Sequence, residues 1–254
     1  MKPQITLSIV SHLQAKLIAS LLADLERYCS KDKIEVILTL NLPEELPFNL
    51  KGYPFPVRIL KNSSPLGFAA NHNNAFAKAE GKYFCALNPD VRLIQNPFPI
   101  LLPFLDDPSI GMIAPQVVNS AGKLENSSRC FPTPLEIIGK IFGWTSATHQ
   151  STTEDVSFPD WVAGMFMLFP REIFQEMGGF DTHYFLYYED VDLCARLTLK
   201  DYRVAFCQKV SVIHDAQRAS HTSFRYLKWH LASLLRFFLS PVYQQLRRHG
   251  RLSK

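Results

Sequence analysis

Two β-rich apolar runs, ITLSIVS (Ile5–Ser11) and KIEVILTLN (residues 33–41), bracket a segment whose apolar residues Leu17, Ile18, Leu21, Leu22 and Leu25 recur on one helical face. A helix of that length between two strands is the crossover that parallel pairing requires, because parallel neighbours cannot be joined by a tight turn. Both runs are apolar almost throughout, as expected of strands covered by helices on both faces. The pattern continues. PVRILKN (56–62) is a third strand. GFAANHNNAFAKAEG (67–81) is a turn entering a helix that Gly81 ends, and KYFCALN (82–88) is a fourth strand. The first ninety residues thus predict a nucleotide-binding α/β half with a mostly parallel sheet.

Beyond residue 90 the pattern is looser. IGMIAPQVV (Ile110–Val118) predicts a strand, and residues 119–137 a long turn-rich loop. The polar segment 143–157 is expected to be mobile. DWVAGMFMLFP (160–170) predicts one buried strand, and REIFQEMGGF (171–180) a short helix closed by Gly178 and Gly179. EDVDLCARLTLKDY (189–202) predicts a helix whose acidic first turn complements its dipole. RVAFCQKVSVIHD (203–215) predicts one or two strands ending at His214.

Composition excludes several classes. Five cysteines are an odd number with no close pair, so neither a CxxC site nor a disulfide framework is expected. The start has no long apolar stretch and no run of roughly 18 apolar residues occurs, which sets the expectation of a cytoplasmic protein without a membrane span. No HExxH, Walker A, zinc-finger or RNA-reading motif is present. Charge is uneven: residues 216–254 hold eight Lys/Arg and no Asp or Glu, whereas residues 1–215 hold 19 basic against 23 acidic residues.

Chemistry concentrates at two acidic clusters. YFCALNPDVRL (83–93) ends a dry strand on Asp90, held by Pro89, at the strand end where open α/β sheets bind ligands. A hard divalent cation bridging to a diphosphate needs only one or two carboxylates there; an ordinary Asn-Pro-Asp turn is the alternative. In YYEDVDLCARL (187–197), Glu189, Asp190 and Asp192 crowd beside aromatic rings, which raises carboxyl pKa values as a general base requires. A charged helix N-terminus is the alternative. Glu189 and Asp192 are i, i+3 and share a face, so at most two of the three enter one site. His214 is either a metal ligand or a satisfied histidine. GFAANHNN, opening a helix at Gly67, offers a terminus for phosphate or the polar rim of a nucleotide.

These pieces together resemble the family 2 glycosyltransferases, inverting enzymes of the GT-A fold, over residues 5–220. LSIVSH, NSSPLGFAANHNNAF, YFCALNPDVRL and the stretch from WVAGMFMLFP through GGFD and YFLYYEDVDLCARL to VIHDAQRAS carry the resemblance. The last stretch is similar to rhamnosyltransferase-like members that build bacterial surface polysaccharide. The resemblance implies a donor such as dTDP-rhamnose and a saccharide or lipid-linked acceptor. It implies Mg2+ or Mn2+ at Asp90 with His214, Asn88 standing where a first aspartate is usual, and Asp190 as base with Glu189 beside it. Ser11, Asn41, Gly67 and Asn73 fall on the donor side. The family's aspartate after the second strand is missing; Asn41 and Glu44 stand in its place. That departure keeps a second reading, a catalytically silent sugar-nucleotide-binding or scaffold protein. A nucleotidyltransferase is a third, although no basic glycine-rich phosphate loop is present.

The expected organisation is a transferase domain over 1–220 and a basic helical tail over 221–254. In FRYLKWHLASLLRFFL (Phe224–Leu239), Leu227, Leu231, Leu234, Leu235 and Phe238 lie near one stripe flanked by Arg225, Lys228 and Arg236, and Pro241 ends it. This suits an interfacial helix on anionic lipid, peripheral to the inner face of the cytoplasmic membrane. Packing of the stripe back on the domain is the alternative.

Overall fold

The protein is described by a computed structural model covering residues 2–141, 155–214 and 224–252. In chain order the first half runs β1 (Ile5–Ser11), α1 (Ala15–Cys29), β2 (Ile34–Leu40), β3 (Val57–Lys61), α2 (Phe68–Phe76), β4 (Tyr83–Leu87), β5 (Arg92–Leu93) and α3 (Phe98–Leu101). The second half runs β6 (Ile110–Val118), β7 (Ser128–Arg129), α4 (Pro134–Ile141), β8 (Val156–Ser157), β9 (Trp161–Val162), β10 (Phe166–Pro170), α5 (Arg171–Glu176), α6 (Glu189–Leu199), β11 (Arg203–Ile213), α7 (Phe224–Leu239) and α8 (Pro241–Arg248).

The main sheet has the order β3-β2-β1-β4-β10-β6-β11-β5. β3, β2, β1 and β4 pair in parallel. β10 is antiparallel to both β4 and β6, and β11 resumes parallel pairing with β6. The order places a topological switch between β1 and β4, so the crevice beyond Ser11 and Leu87 is where a ligand belongs.

Alternation along each strand divides the core. Tyr83, Cys85 and Leu87 of β4, with Phe166 and Leu168 of β10, face the α1 side. Phe84, Ala86, Met167 and Phe169 face the side covered by α2, α5 and α6. That second core also takes Leu234 and Phe237 from α7 and Tyr243 and Leu246 from α8. The other face of α7 leaves Phe224, Leu227, Leu231, Leu235 and Leu239 exposed. The predicted stripe is therefore split between two faces. Among the described residues, no helix is long and apolar enough to cross a membrane.

Several local expectations are corrected. Gly81 does not end the α2 helix, which stops at Phe76 with Ala77 at its C-cap. A side chain on Gly81 would instead meet the Thr6 backbone nitrogen at 2.6 Å, so close approach to β1 is its role. DWVAGMFMLFP is two strands, β9 and β10, separated by Ala163, Gly164 and Met165. The predicted loop 119–137 contains β7 and the start of α4. Most of segment 143–157 lies outside the described residues; its end forms β8 and pairs with β11.

Candidate active site

The metal-side residues come together as their elements dictate. β5 pairs with the end of β11, Arg92 opposite Ile213, which brings the turn after β4 against the residue after β11. His214 Nε2 lies 3.3 Å from Asp90 Oδ2. Asp90 Oδ1 and His214 Nδ1 are buried without a hydrogen-bond partner. A native fold rarely leaves such atoms idle unless a ligand is missing. One carboxylate and one imidazole are donors suited to Mn2+ or Mg2+. Among the described residues no group of three or more His, Cys, Asp or Glu forms a full cage, so a cation held by this pair would need phosphate or water oxygens for the rest of its shell.

The base-side residues are set by a strained turn. Tyr187 and Tyr188 both adopt left-handed backbone, φ 70° and 68°, a conformation costing on the order of 1–3 kcal/mol per residue unless its surroundings impose it. They deliver α6 with its acidic first turn. Asp190 Oδ2 accepts the Gly164 amide at 2.9 Å and Oδ1 accepts the Val191 amide at 2.8 Å. Burial nevertheless raises the Asp190 carboxyl pKa, against the pull of these amides and of the Arg129 charge. Glu189 is buried with Oε2 unpartnered, and desolvation followed by repulsion from Asp190 pushes its carboxyl well above the usual carboxylate range. Asp192 does not share the site. It pairs with Arg196 at 2.7 Å, and Arg196 Nη1 and Nη2 donate to the carbonyls of Met177 and Gly179. The i, i+3 argument had Glu189 and Asp192 on one face; the arginine claims Asp192 for the fold.

The two clusters meet across three residues. Asn88 N donates to Met165 O at 2.9 Å, and Gly164 N holds Asp190. The Asn88 side chain is half-buried at this junction.

On the donor side, most predicted residues are structural members of a wall. Asn41 N donates to Ser11 O. Asn41 Oδ1 accepts from Leu66 N and Asn62 Nδ2, both at 2.8 Å, while its amide donates to Leu66 O at 3.0 Å. Ser11 Oγ accepts from Gln14 N at 3.1 Å. Gly67 sits so tightly that a Cβ there would lie 2.3 Å from Phe185 O, the acceptor for Phe68 N. Asn73 exchanges both amide groups with the Phe180 backbone, 2.7 and 2.9 Å. Next to this wall lies a recess of about 380 Å³ lined by Leu40, Leu42, Glu44, Lys61 and Asn62 among others. Glu44 Oε1 is buried without a partner.

Arg129 had no sequence signal. β7 pairs antiparallel with β9, Arg129 opposite Trp161, and the guanidinium lies over the indole at 5.4 Å. Two-residue strands are too short to show a period.

Comparison with known proteins bears on the family and the fold. Residues 7–178 match the profile of Glycosyl transferase family 2. The chain is 28% identical over 200 residues to the rhamnosyltransferase WbbL of Escherichia coli K12, covering 74% of this chain and 75% of that protein. It is 27% identical over 198 residues to the N-acetylglucosaminyl-diphospho-decaprenol L-rhamnosyltransferase of Mycobacterium tuberculosis H37Rv, covering 70% of this chain and 64% of that one. Among solved GT-A structures, a mannosyltransferase of Pyrobaculum calidifontis in complex with GDP-Man and Mn2+ superposes with a TM-score of 0.63 at 17% identity, over 93% of this chain and 65% of that one. GalNAc-T7 with UDP, GalNAc and Mn2+ gives 0.63 at 16% identity, over 84% and 43%. The chain therefore belongs to glycosyl transferase family 2, a glycosyltransferase with the GT-A fold.

Proposed function

We propose that the chain is a metal-dependent, inverting transferase with dTDP-rhamnose as donor and a saccharide or lipid-linked acceptor, acting in bacterial surface polysaccharide synthesis. The names of the two relatives support rhamnose as the transferred sugar, and the second names a lipid-linked acceptor. One observation carries the site assignment: residues 163–165 are bracketed by Asn88 on one side and Asp190 on the other, so a metal-side turn and a base share one cleft.

Asp90 and His214 would hold the cation, which supplies positive charge to offset that growing on the leaving diphosphate. Asp190 takes the proton from the acceptor hydroxyl. The hydroxyl oxygen attacks the anomeric carbon, the bond to the diphosphate oxygen breaks, and its electron pair leaves with the nucleotide. A single displacement inverts the configuration. The raised Asp190 pKa strengthens it as a base, and the Gly164 and Val191 amides aim it. Glu189, buried behind it, keeps water from screening that charge. Glu44, with an idle oxygen in the donor-side recess, takes the part of the absent aspartate toward base or ribose. Asn41, its polar atoms already engaged, braces the wall with Ser11, Gly67 and Asn73.

The tail, 221–254, has two faces in this reading. One packs on the core. The other, with its exposed leucines and basic flanks, lies on anionic lipid where a lipid-linked acceptor resides.

Asp190→Asn tests the assignment. Transfer should fall by about 10²–10⁴-fold while sugar-nucleotide binding, followed by thermal shift, persists. Undiminished turnover in that variant removes Asp190 from the role. Wild-type protein that binds the donor but never releases nucleotide supports the silent-scaffold reading instead.

A further inference from the structure

An exposed aromatic ring stands close to the base and is held still. Phe185 lies in the segment that leads into α6 and Asp190, and it is 41% exposed. Single exposed apolar side chains are common on any surface; this one differs in its support and its place. Phe185 O accepts from Phe68 N at 2.9 Å, and the next carbonyl, Leu186 O, accepts from Ser233 Oγ at 2.9 Å. The ring leans on Trp229 with centroids 4.8 Å apart, and Trp229 is braced by the Arg225 guanidinium at 4.6 Å and by the Tyr226 ring at 5.3 Å.

Phe68 bridges from this ring to the base. Its Cζ lies 3.4 Å from the point where a Gly164 side chain would begin, and Asp190 Oδ2 lies 3.5 Å from the same point. Phe68 is itself half-buried, backed by His72 and Phe180 with ring centroids 4.3 and 5.4 Å away. Two partly exposed phenylalanines, joined by a backbone hydrogen bond, therefore stand beside Asp190.

We propose that Phe185, with Phe68 bridging to the base, is the floor on which a sugar ring rests during transfer, its C–H face against the aromatic side chains. The proposal rests on the transferase reading above, in which the new glycosidic bond forms at Asp190. Neither phenylalanine offers a hydrogen bond, so the group they receive is apolar on the side that meets them. A pyranose is such a group. C–H bonds project from its faces and carry the slight positive charge that the negative face of an aromatic ring attracts, while hydroxyls lie around its rim. A lipid chain is apolar too, but α7 touches this segment through Trp229 and Ser233. The exposed Leu231 and Leu235 are each two positions further on, nearly opposite on the helix, so the lipid-facing leucines look another way. A nucleobase also stacks on rings, but the recess at Glu44 already serves it in this reading. Two sugars meet at the base, the donor's and the acceptor's, and the experiment separates them.

The test compares wild type with Phe185→Leu, which keeps apolar bulk without a ring, and Phe185→Tyr, which keeps the ring. The donor probe is whichever of dTDP-rhamnose, UDP-N-acetylglucosamine and GDP-mannose raises the wild-type Tm most, with its own nucleoside diphosphate as reference. The acceptor probes are the octyl glycosides of glucose, galactose and N-acetylglucosamine. Phe185→Leu should keep its Tm and its nucleoside diphosphate affinity and lose about tenfold or more in affinity for one sugar, with Phe185→Tyr within about twofold of wild type. A raised KM for the glycoside with unchanged sugar-nucleotide affinity places the acceptor's sugar on the ring. Weaker binding of the sugar nucleotide relative to its nucleoside diphosphate places the donor's sugar there. A Phe185→Leu protein that matches wild type in both arms overturns the inference. So does a Phe185→Tyr protein that loses as much as Phe185→Leu, which makes the segment structural, or equal weakening of the sugar nucleotide and its nucleoside diphosphate, which makes the ring a nucleotide contact. Wild-type protein that binds none of the sugar nucleotides refutes the transferase reading itself; wild-type transfer matched by Phe185→Leu refutes this inference alone.

Discussion

Gly67 offers the sharpest test of how the donor wall and the base are joined. A Cβ at this position would sit 2.3 Å from Phe185 O, 2.8 Å from its Cα and 2.9 Å from its carbonyl carbon. Real Cβ contacts essentially never fall below 3.0 Å, so in Gly67→Ala the two backbones must separate by about 0.7 Å or more. Neither side yields easily, since the obstructing atoms are main chain. The same movement stretches the 2.9 Å bond from Phe68 N to Phe185 O. Overpacking costs about 1–3 kcal/mol and the weakened hydrogen bond about 1 kcal/mol. A total of about 2–4 kcal/mol lowers Tm by roughly 4–16 °C in a chain of this size. Phe185 precedes the strained Tyr187–Tyr188 turn that aims Asp190, so the displacement reaches the base. Misplacement on this scale costs on the order of 10²-fold in rate. Differential scanning calorimetry and initial-rate assays measure both effects. Gly52→Ala, where a Cβ meets nothing within 4 Å, is the control and should change neither. A Gly67→Ala protein with wild-type Tm and wild-type turnover refutes the coupling.

Glu189→Gln tests the buried acid. The folded-state pKa of Glu189 is raised, so with rising pH the unfolded chain loses this proton before the folded one does. Stability is then lost from the ordinary glutamate range upward through the raised value. The glutamine variant should show a flatter Tm profile across that window; an unchanged slope argues against the assignment. Asp90→Asn and His214→Gln should each lose the Tm rise that Mn2+ gives wild type in the presence of nucleoside diphosphate. At a hundredfold excess over Kd that rise corresponds to about 2.7 kcal/mol, and its survival in both variants excludes the proposed ligand pair. The lipid-facing reading of α7 calls for Leu231→Asp with Leu235→Asp, because both leucines are exposed, whereas removing the tail would strip Leu234, Phe237, Tyr243 and Leu246 from the core. The double variant should keep its Tm and lose flotation with anionic vesicles; equal flotation of both proteins sinks the membrane contact.

What the sequence made legible follows from what each signal measures. β1, β2 and β4 were readable because a strand covered on both faces must be apolar at nearly every position, and Leu87 ends such a run where Asn88-Pro89-Asp90 begins. Gly178 and Gly179 were readable because positive φ, 71° and 73°, suits glycine over other residues. Gly81 was misread from the same letter, since its reason is space against Thr6 rather than backbone conformation. The break at Ala163, Gly164 and Met165 was invisible within DWVAGMFMLFP for a related cause. The break exists so that the Gly164 amide can reach Asp190, 26 residues later, and no local propensity encodes a partner that distant.

Side-chain allocation was harder to read than backbone. Asp190 and Asp192 have the same chemistry two positions apart, yet Arg196 takes Asp192 into an i, i+4 pair and leaves Asp190 to the Gly164 amide. The pair was available from spacing, and subtracting it would have isolated Asp190 without any structure. Asn41 and Glu44 pose the opposite case, since both are plausible polar residues after β2. Only the folded structure shows that Asn41 spends its amide on Leu66 and Asn62, while Glu44 keeps an idle oxygen at a recess. α7 falls between these cases. Its amphipathic period was visible, but its basic and aromatic residues leave the apolar arc broad enough to serve two surfaces. Leu234 and Phe237 enter the second core, Phe237 against the rings of Tyr188 and Tyr243, and Leu231 and Leu235 face outward. Ser233 Oγ, on the inner face, donates to Leu186 O at 2.9 Å, and the Trp229 ring packs at a tilt against Phe185. The helix that leaves leucines exposed on one side therefore also grips, on its other side, the turn that leads into α6 and Asp190.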